Sequence, residues 1–267
     1  MNQAALAAKL WPHLVEKAAQ REKVFYGEVA ALLGMHHRPV RFVLEQILNY
    51  CIETRKPLLT ALVVTKATGK PGSGIKSRVP TFSEDELGEV FDWDWAHEPN
   101  PFEWALDGTT ESDLKRLLLT TPTRAEDVYA RVKVRGMMQI QFRNALLDAY
   151  GGVCCFSGIA IKEVLEAAHI IPWSRAEPHL RGSVNNGLLL SSLHHKLFEN
   201  GLLTLDAELR IWCNEKSLSR IPQTDLMRHL VFGLHGKPIR PPKQTKWSPT
   251  PSLIEAHNAF LSLTPQF

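Results

Sequence analysis

The stretch Leu165–Asp206, LEAAHIIPWSRAEPHLRGSVNNGLLLSSLHHKLFENGLLTLD, can close into very few shapes. Leu165 to Ile171 is apolar apart from Glu166 and His169 and is stopped by Pro172, the pattern of a short strand leading into a turn. Turn formers Ser174, Pro178, Gly182 and Ser183 fill the following loop, and Asn185-Asn186-Gly187 is a strong turn signal. Leu188-Leu189-Leu190 then reads as a returning strand, antiparallel to the first. Ser191 or Ser192 caps a helix carrying His194, His195, Lys196, Leu197, Phe198 and Glu199, which Asn200-Gly201 ends. The expected order is strand, loop, strand, helix.

This order spreads three chemical groups over three kinds of element: His169 on a strand, Asn186 in a turn and His195 on a helix. A strand-borne histidine in an apolar run is, standing alone, more often a hydrogen-bonded core residue than a catalyst. Here it has company. His195 and Glu199 are four apart on the helix and share a face, so an imidazole and a carboxylate can meet at one divalent metal. Mixed N/O ligation suits Mg²⁺, Mn²⁺, Ni²⁺ or Zn²⁺. An imidazole that titrates near about 6.5 can also take a proton from water near neutral pH, the work of a general base.

The segment from Arg143 to Asp206 resembles the HNH endonucleases on three motifs in order: Ala168-His169-Ile170-Ile171-Pro172, Asn186-Gly187-Leu188-Leu189-Leu190 and His195-Lys196-Leu197-Phe198-Glu199. The resemblance implies a ββα-metal nuclease domain that hydrolyses DNA phosphodiester bonds, double-stranded DNA being the expected partner, with one divalent metal. It makes His169 the general base, Asn186 a loop anchor or third ligand, and His195 with Glu199 the metal ligands, with Glu166 and His194 as alternates. Arg143, Arg175 and Lys196 become candidate phosphate clamps. Two positions depart from the pattern: Ala168 stands where many members place Asp or His, and Glu199 where others carry a second histidine. CxxC pairs are absent, so the apolar core must hold the fold. Gln141-Phe142-Arg143 and the tail LHGKPIRPPKQTKWSPTPSLIEAHNAF look like the flanks of a branch common in bacterial restriction and defence proteins, which implies restriction or phage defence. One ββα unit cuts one strand, so a double-strand cut needs a homodimer or two successive nicks. The competing reading is a non-enzymatic DNA-binding regulator with a structural metal site.

A chain of 267 residues exceeds the usual single-domain size, which leaves room for a second domain ahead of this one. Leu6, Leu10, Leu14 and Ala18 line one face of a helix over Ala4–Gln20. Tyr26–Gly34 is a short amphipathic helix, and Pro39 opens a second running to about Glu53. Two short helices about a glycine turn form either a packing hairpin or a helix-turn-helix that leads into DNA with His36, His37, Arg38 and Arg41. A β-branched strand, Leu59–Thr65, and a Gly/Pro-rich basic loop after it would make a wing. The stretch thus resembles, in general outline, winged-helix modules. From Glu84 to Asp113 there are many acids and no Lys or Arg, interleaved with Trp93, Trp95 and Trp104. That segment reads as a linker partly docked on the protein, or as a mimic of DNA in a basic groove. A helix over Ala125–Tyr150, interrupted near Gly136, precedes the nuclease-like segment. The expected organisation is α+β: a winged-helix-like domain at 1–80, an acidic, aromatic linker at 81–123, and a nuclease domain at 124–267 with an extended basic tail.

The basic remainder of the chain suits a polyanion. Cys51, Cys154, Cys155 and Cys213 lack paired spacing and point to reduced thiols. There is no apolar run of the roughly 20 residues a membrane span needs, and the N-terminal segment carries charges at helical spacing, so no membrane association and a cytoplasmic location are expected.

Overall fold

The computed structural model describes residues 2–79, 82–83, 86–122, 125–219 and 221–265. The chain divides into two compact units, Met1–Asp113 with Arg131–Ile140, and Leu114–Ala130 with Gln141–Phe267. The architecture is α+β: helices with three small two-stranded sheets. None of the described helices is long and apolar enough to cross a membrane.

In the first unit α1 (Gln3–Ala19), β1 (Val24–Phe25), α2 (Tyr26–Leu32) and α3 (Val40–Thr54) follow the expected order. Asn2 caps α1 by accepting from the Ala5 N–H at 3.2 Å. Gly34 takes φ +61° in the turn after α2, a conformation a side chain would strain. The Leu59–Thr65 strand is corrected. Leu59–Leu62 is a 3₁₀ turn and only β2 (Val63–Val64) is extended, pairing in parallel with β1. An unbroken apolar run buried on all sides suits a tight turn as well as a strand, and Leu59, Ala61 and Leu62 are all fully buried.

The acidic segment, whose α5 (Glu86–Asp92) follows α4 (Ser73–Arg78), contributes buried residues to the core of the first unit. Trp11 of α1 meets Tyr50, Trp95 and Phe102 edge-on at 5.6, 5.7 and 6.2 Å. Pro12 has no N–H to give the Ala8 carbonyl, and Asn100 Nδ2 from the acidic segment donates to that oxygen at 2.8 Å. Its acids pair within the same unit: Asp92 with Arg21, Glu98 with Lys56, and Asp107 with Arg131. Glu84 and Asp85, and the expected boundary at 123–124, lie outside the described residues.

Next come α6 (Glu111–Thr120), α7 (Ala125–Val132) and α8 (Arg135–Ala149). The break between the last two falls at Lys133, φ +58°, three residues before Gly136. Gly151 and Gly152, at φ +66° and +71°, stop α8. In the second unit β3 (Leu165–His169) and β4 (Gly187–Ser191) pair antiparallel, Glu166 opposite Leu190 and His169 opposite Gly187. The helix α9 (Ser192–Glu199) follows at once, capped by the Ser191 hydroxyl. A hairpin of β5 (Leu203–Leu205) and β6 (Ile211–Cys213), short helices α10 (Glu215–Leu218) and α11 (Asp225–Leu230), and α12 (Pro251–Phe260) complete it. Between the 3₁₀ turns Phe232–Leu234 and Thr245–Trp247 the proline-rich tail is tied down by its backbone: Ile239, Arg240 and Lys243 donate N–H bonds to the carbonyls of Leu209, Cys155 and Ala149.

Candidate active site

His169 ends β3, and its environment fixes which nitrogen carries the proton. Nε2 lies 2.9 Å from the Arg181 carbonyl oxygen, which can only accept, so Nε2 holds the hydrogen and Nδ1 the lone pair. The ring stacks on Phe142 of α8 at 4.3 Å and 23°, and Trp173 meets it edge-on at 6.0 Å. Gly187, directly opposite His169, leaves room for this stack: a Cβ there would stand 2.6 Å from Phe142 Cζ.

Asn186 is fully buried, and both ends of its amide hold the loop. Oδ1 accepts from the Ile171 N–H at 2.7 Å, while Nδ2 donates to the Ile171 and Leu180 carbonyls, both at 3.1 Å. Of the two expected roles these contacts match the anchor, with one lone pair of Oδ1 taken by the Ile171 N–H.

His195 sits between two carboxylates. Its Nδ1 is 2.5 Å from Glu166 Oε2 on β3 and its Nε2 is 3.3 Å from Glu199 Oε1 one turn along α9. Burial works against the charge on Glu166, but hydrogen bonds from His195 and Ser192 and the charges of His195 and Lys196 outweigh it and hold its carboxyl below the usual range. Among the described residues no group of three or more His, Cys, Asp or Glu converges on one point. Because the two carboxylates approach opposite nitrogens, one imidazole nitrogen and one carboxylate can meet at a cation. That pair fits an ion that keeps its other positions for water and a substrate phosphate. Glu166 is then the carboxylate that accepts the second ring N–H and sets the tautomer.

The other expected residues separate. His194 is fully buried, its Nδ1 2.7 Å from the Ser191 hydroxyl and its Nε2 donating to Leu230 O, so it belongs to the core. Arg143 donates to the Leu165 carbonyl through Nε and Nη2 and to Lys162 O, tying the start of β3 to α8. Arg175 is exposed and lies over the Phe260 ring at 3.9 Å. Lys196 is exposed and bonds Glu199 Oε2 at 2.7 Å. Arg38 and Arg41 are exposed in the first unit.

Three contributors escaped the sequence reading. Arg181 acts through its backbone, which no side-chain motif marks. Phe142 stands in the sequence only as part of the Gln141-Phe142-Arg143 flank, with nothing to mark His169 as its target. His257 of α12 donates from Nδ1 to the carbonyl of Ile170, next to His169, at 2.9 Å and stacks flat on Phe198 at 4.1 Å.

Residues 154–206 match the model of a family described as HNH endonuclease. No curated protein matches the chain.

Proposed function

With residues 154–206 an HNH endonuclease domain, we propose that this chain is a metal-dependent endonuclease hydrolysing DNA phosphodiester bonds. The observation that carries this is the polarised His169: a strand histidine with Nε2 tied to a backbone carbonyl presents Nδ1 as the acceptor, as a general base requires. Water attacks phosphorus in line, His169 Nδ1 takes its proton, the P–O3′ bond breaks, and the leaving oxygen takes a proton from solvent. His195 Nε2 and Glu199 would hold a divalent cation that supplies Lewis-acid stabilisation of the charge on phosphorus and the leaving oxygen. Glu166 keeps the His195 ring in the tautomer that offers Nε2. Asn186 holds the loop that brings Arg181 O to His169. Lys196 and Arg175, both exposed, are the phosphate contacts of this unit.

The first unit, with α2, a glycine turn and α3, follows the order of a helix-turn-helix and contacts the duplex through Arg38 and Arg41. Restriction or phage defence in the cytoplasm is the setting that the flanks of the nuclease segment favour, and a drop in phage plating on expressing cells checks it. The activity is tested by incubating supercoiled plasmid with the protein and each of Mg²⁺, Mn²⁺, Ni²⁺ and Zn²⁺. Wild type nicks in at least one, His169→Ala stays folded and does not nick, and Glu166→Gln nicks more slowly. A folded His169→Ala protein that nicks at the wild-type rate overturns the assignment; DNA binding with no nicking in any metal points to the regulator instead.

A further inference from the structure

The first unit holds a cleft of about 740 Å³ that the nuclease chemistry does not use. The end of β1 and the start of α2 supply Phe25, Tyr26 and Glu28; the turn before α3 and its first turn supply His37, Arg38 and Arg41; Lys66, just past β2, closes it. Three permanent cations therefore face one carboxylate, and one oxygen of that carboxylate is already taken, accepting the Phe25 N–H at 2.9 Å. The cleft is an anion site by charge.

It is also an aromatic site. Phe25, which lines the cleft, is 38% exposed, an apolar side chain partly open to water. Burial pushes the Tyr26 phenol up, so it stays neutral, and it is hydrogen-bonded to the backbone of Gly72. A Cβ on Gly72 would collide with the Tyr26 hydroxyl, so the absence of a side chain there sets the seat of that ring.

Phosphate contacts on an intact duplex need cations on an open surface and make no use of a hollow with an aromatic wall. A paired base, stacked on both faces, cannot enter one. An unpaired nucleotide satisfies both halves: its phosphate meets Arg38, Arg41 and Lys66, and its base lies against Phe25. The geometry points to this cleft as a binding site for one unstacked nucleotide of DNA, extruded or in a single-stranded stretch. The inference rests on the reading that this chain acts on DNA, and it adds a preference for locally opened substrate.

Fluorescence anisotropy of the full chain in EDTA tests it, with three labelled probes: a matched duplex, the same duplex with one unpaired nucleotide, and the single strand. Wild type should bind the probes with an unpaired nucleotide about tenfold more tightly than the matched duplex. Phe25→Ala should remove that preference while keeping the affinity for matched duplex, since base–aromatic stacking is worth about 5- to 100-fold. Phe25→Leu, which keeps the apolar bulk and guards against misfolding, should lose it as well. Arg38→Gln with Arg41→Gln should weaken all three probes and flatten the salt dependence. Equal binding of matched and unpaired probes by wild type, or a preference that survives Phe25→Ala, overturns the proposal. Because EDTA removes cleavage, failure of the nuclease reading appears separately, as absence of plasmid nicking.

Discussion

Gly187→Ala tests how the general base is held, because the substitution adds one methyl group and changes no charge. The backbone there is extended, φ −141° and ψ 148°, so alanine fits the main chain and any effect must come from packing. The new Cβ would stand 2.6 Å and 3.0 Å from Phe142 Cζ and Cε2 and 2.8 Å from Leu146 Cδ1, about 1 Å inside ordinary carbon contact. Phe142 and Leu146 are both buried, so neither ring nor methyl can swing into solvent. Overpacking of this kind destabilises by about 1–3 kcal/mol. That corresponds to a fall of roughly 3–10 °C in the melting temperature of this unit, read by circular dichroism. The ring that must move is the one stacked on His169, so nicking should fall as well, by up to about 100-fold if the imidazole shifts by about 1 Å. Adding Phe142→Leu should restore most of the stability, because the flat edge that meets the methyl is gone, while leaving the rate low. An unchanged melting temperature together with an unchanged rate in Gly187→Ala would refute the packing argument.

Three further outcomes follow from the same contacts. Arg143→Lys cannot span both carbonyls and should lose about 1.5–3 kcal/mol of stability in a denaturant titration, with the salt dependence of DNA binding unchanged; a smaller salt slope would mark Arg143 as a phosphate clamp. His257 is buried and its titration lies below the ordinary 6.5, so its contribution to stability is complete above about pH 6.5 and is lost as pH falls below it; His257→Phe should flatten that decline in urea titrations between pH 7 and 5. All four cysteines are free and buried, so a thiol reagent should label none in the native protein and all four in denaturant; labelling of the native protein would contradict the burial of these side chains.

What could be read from the sequence was local. The cap at Ser191, the glycines that stop α8 and α9, and the strand–loop–strand–helix order depend on residues near in sequence, and each is where pattern and turn chemistry put it. Contacts with partners far along the chain could not be read in this way. Arg143 looks like a free cation until Leu165 and Lys162 arrive beside it, and the acidic segment looks like a linker until Trp95 and Phe102 close on Trp11. The partners of the Asn186 amide, the Leu180 and Ile171 backbone, are likewise invisible in the turn signal.

Ala168 shows how an apparent gap in a site can be filled from a neighbouring position. It is fully buried opposite Leu188, where a carboxylate would have to lose its water. Strand side chains alternate between faces, so Glu166, two residues earlier, shares the face of Ala168. At Glu166 the strand is opposite Leu190, one residue from the cap of α9, and the carboxylate is only half-buried there. It reaches His195 and remains ionised, which the position of Ala168 would not allow. A carboxylate two residues along the same face thus stands beside the helix histidine, bonded to its Nδ1. His169 is held by the Arg181 carbonyl and Phe142, so the two histidines are oriented by separate contacts.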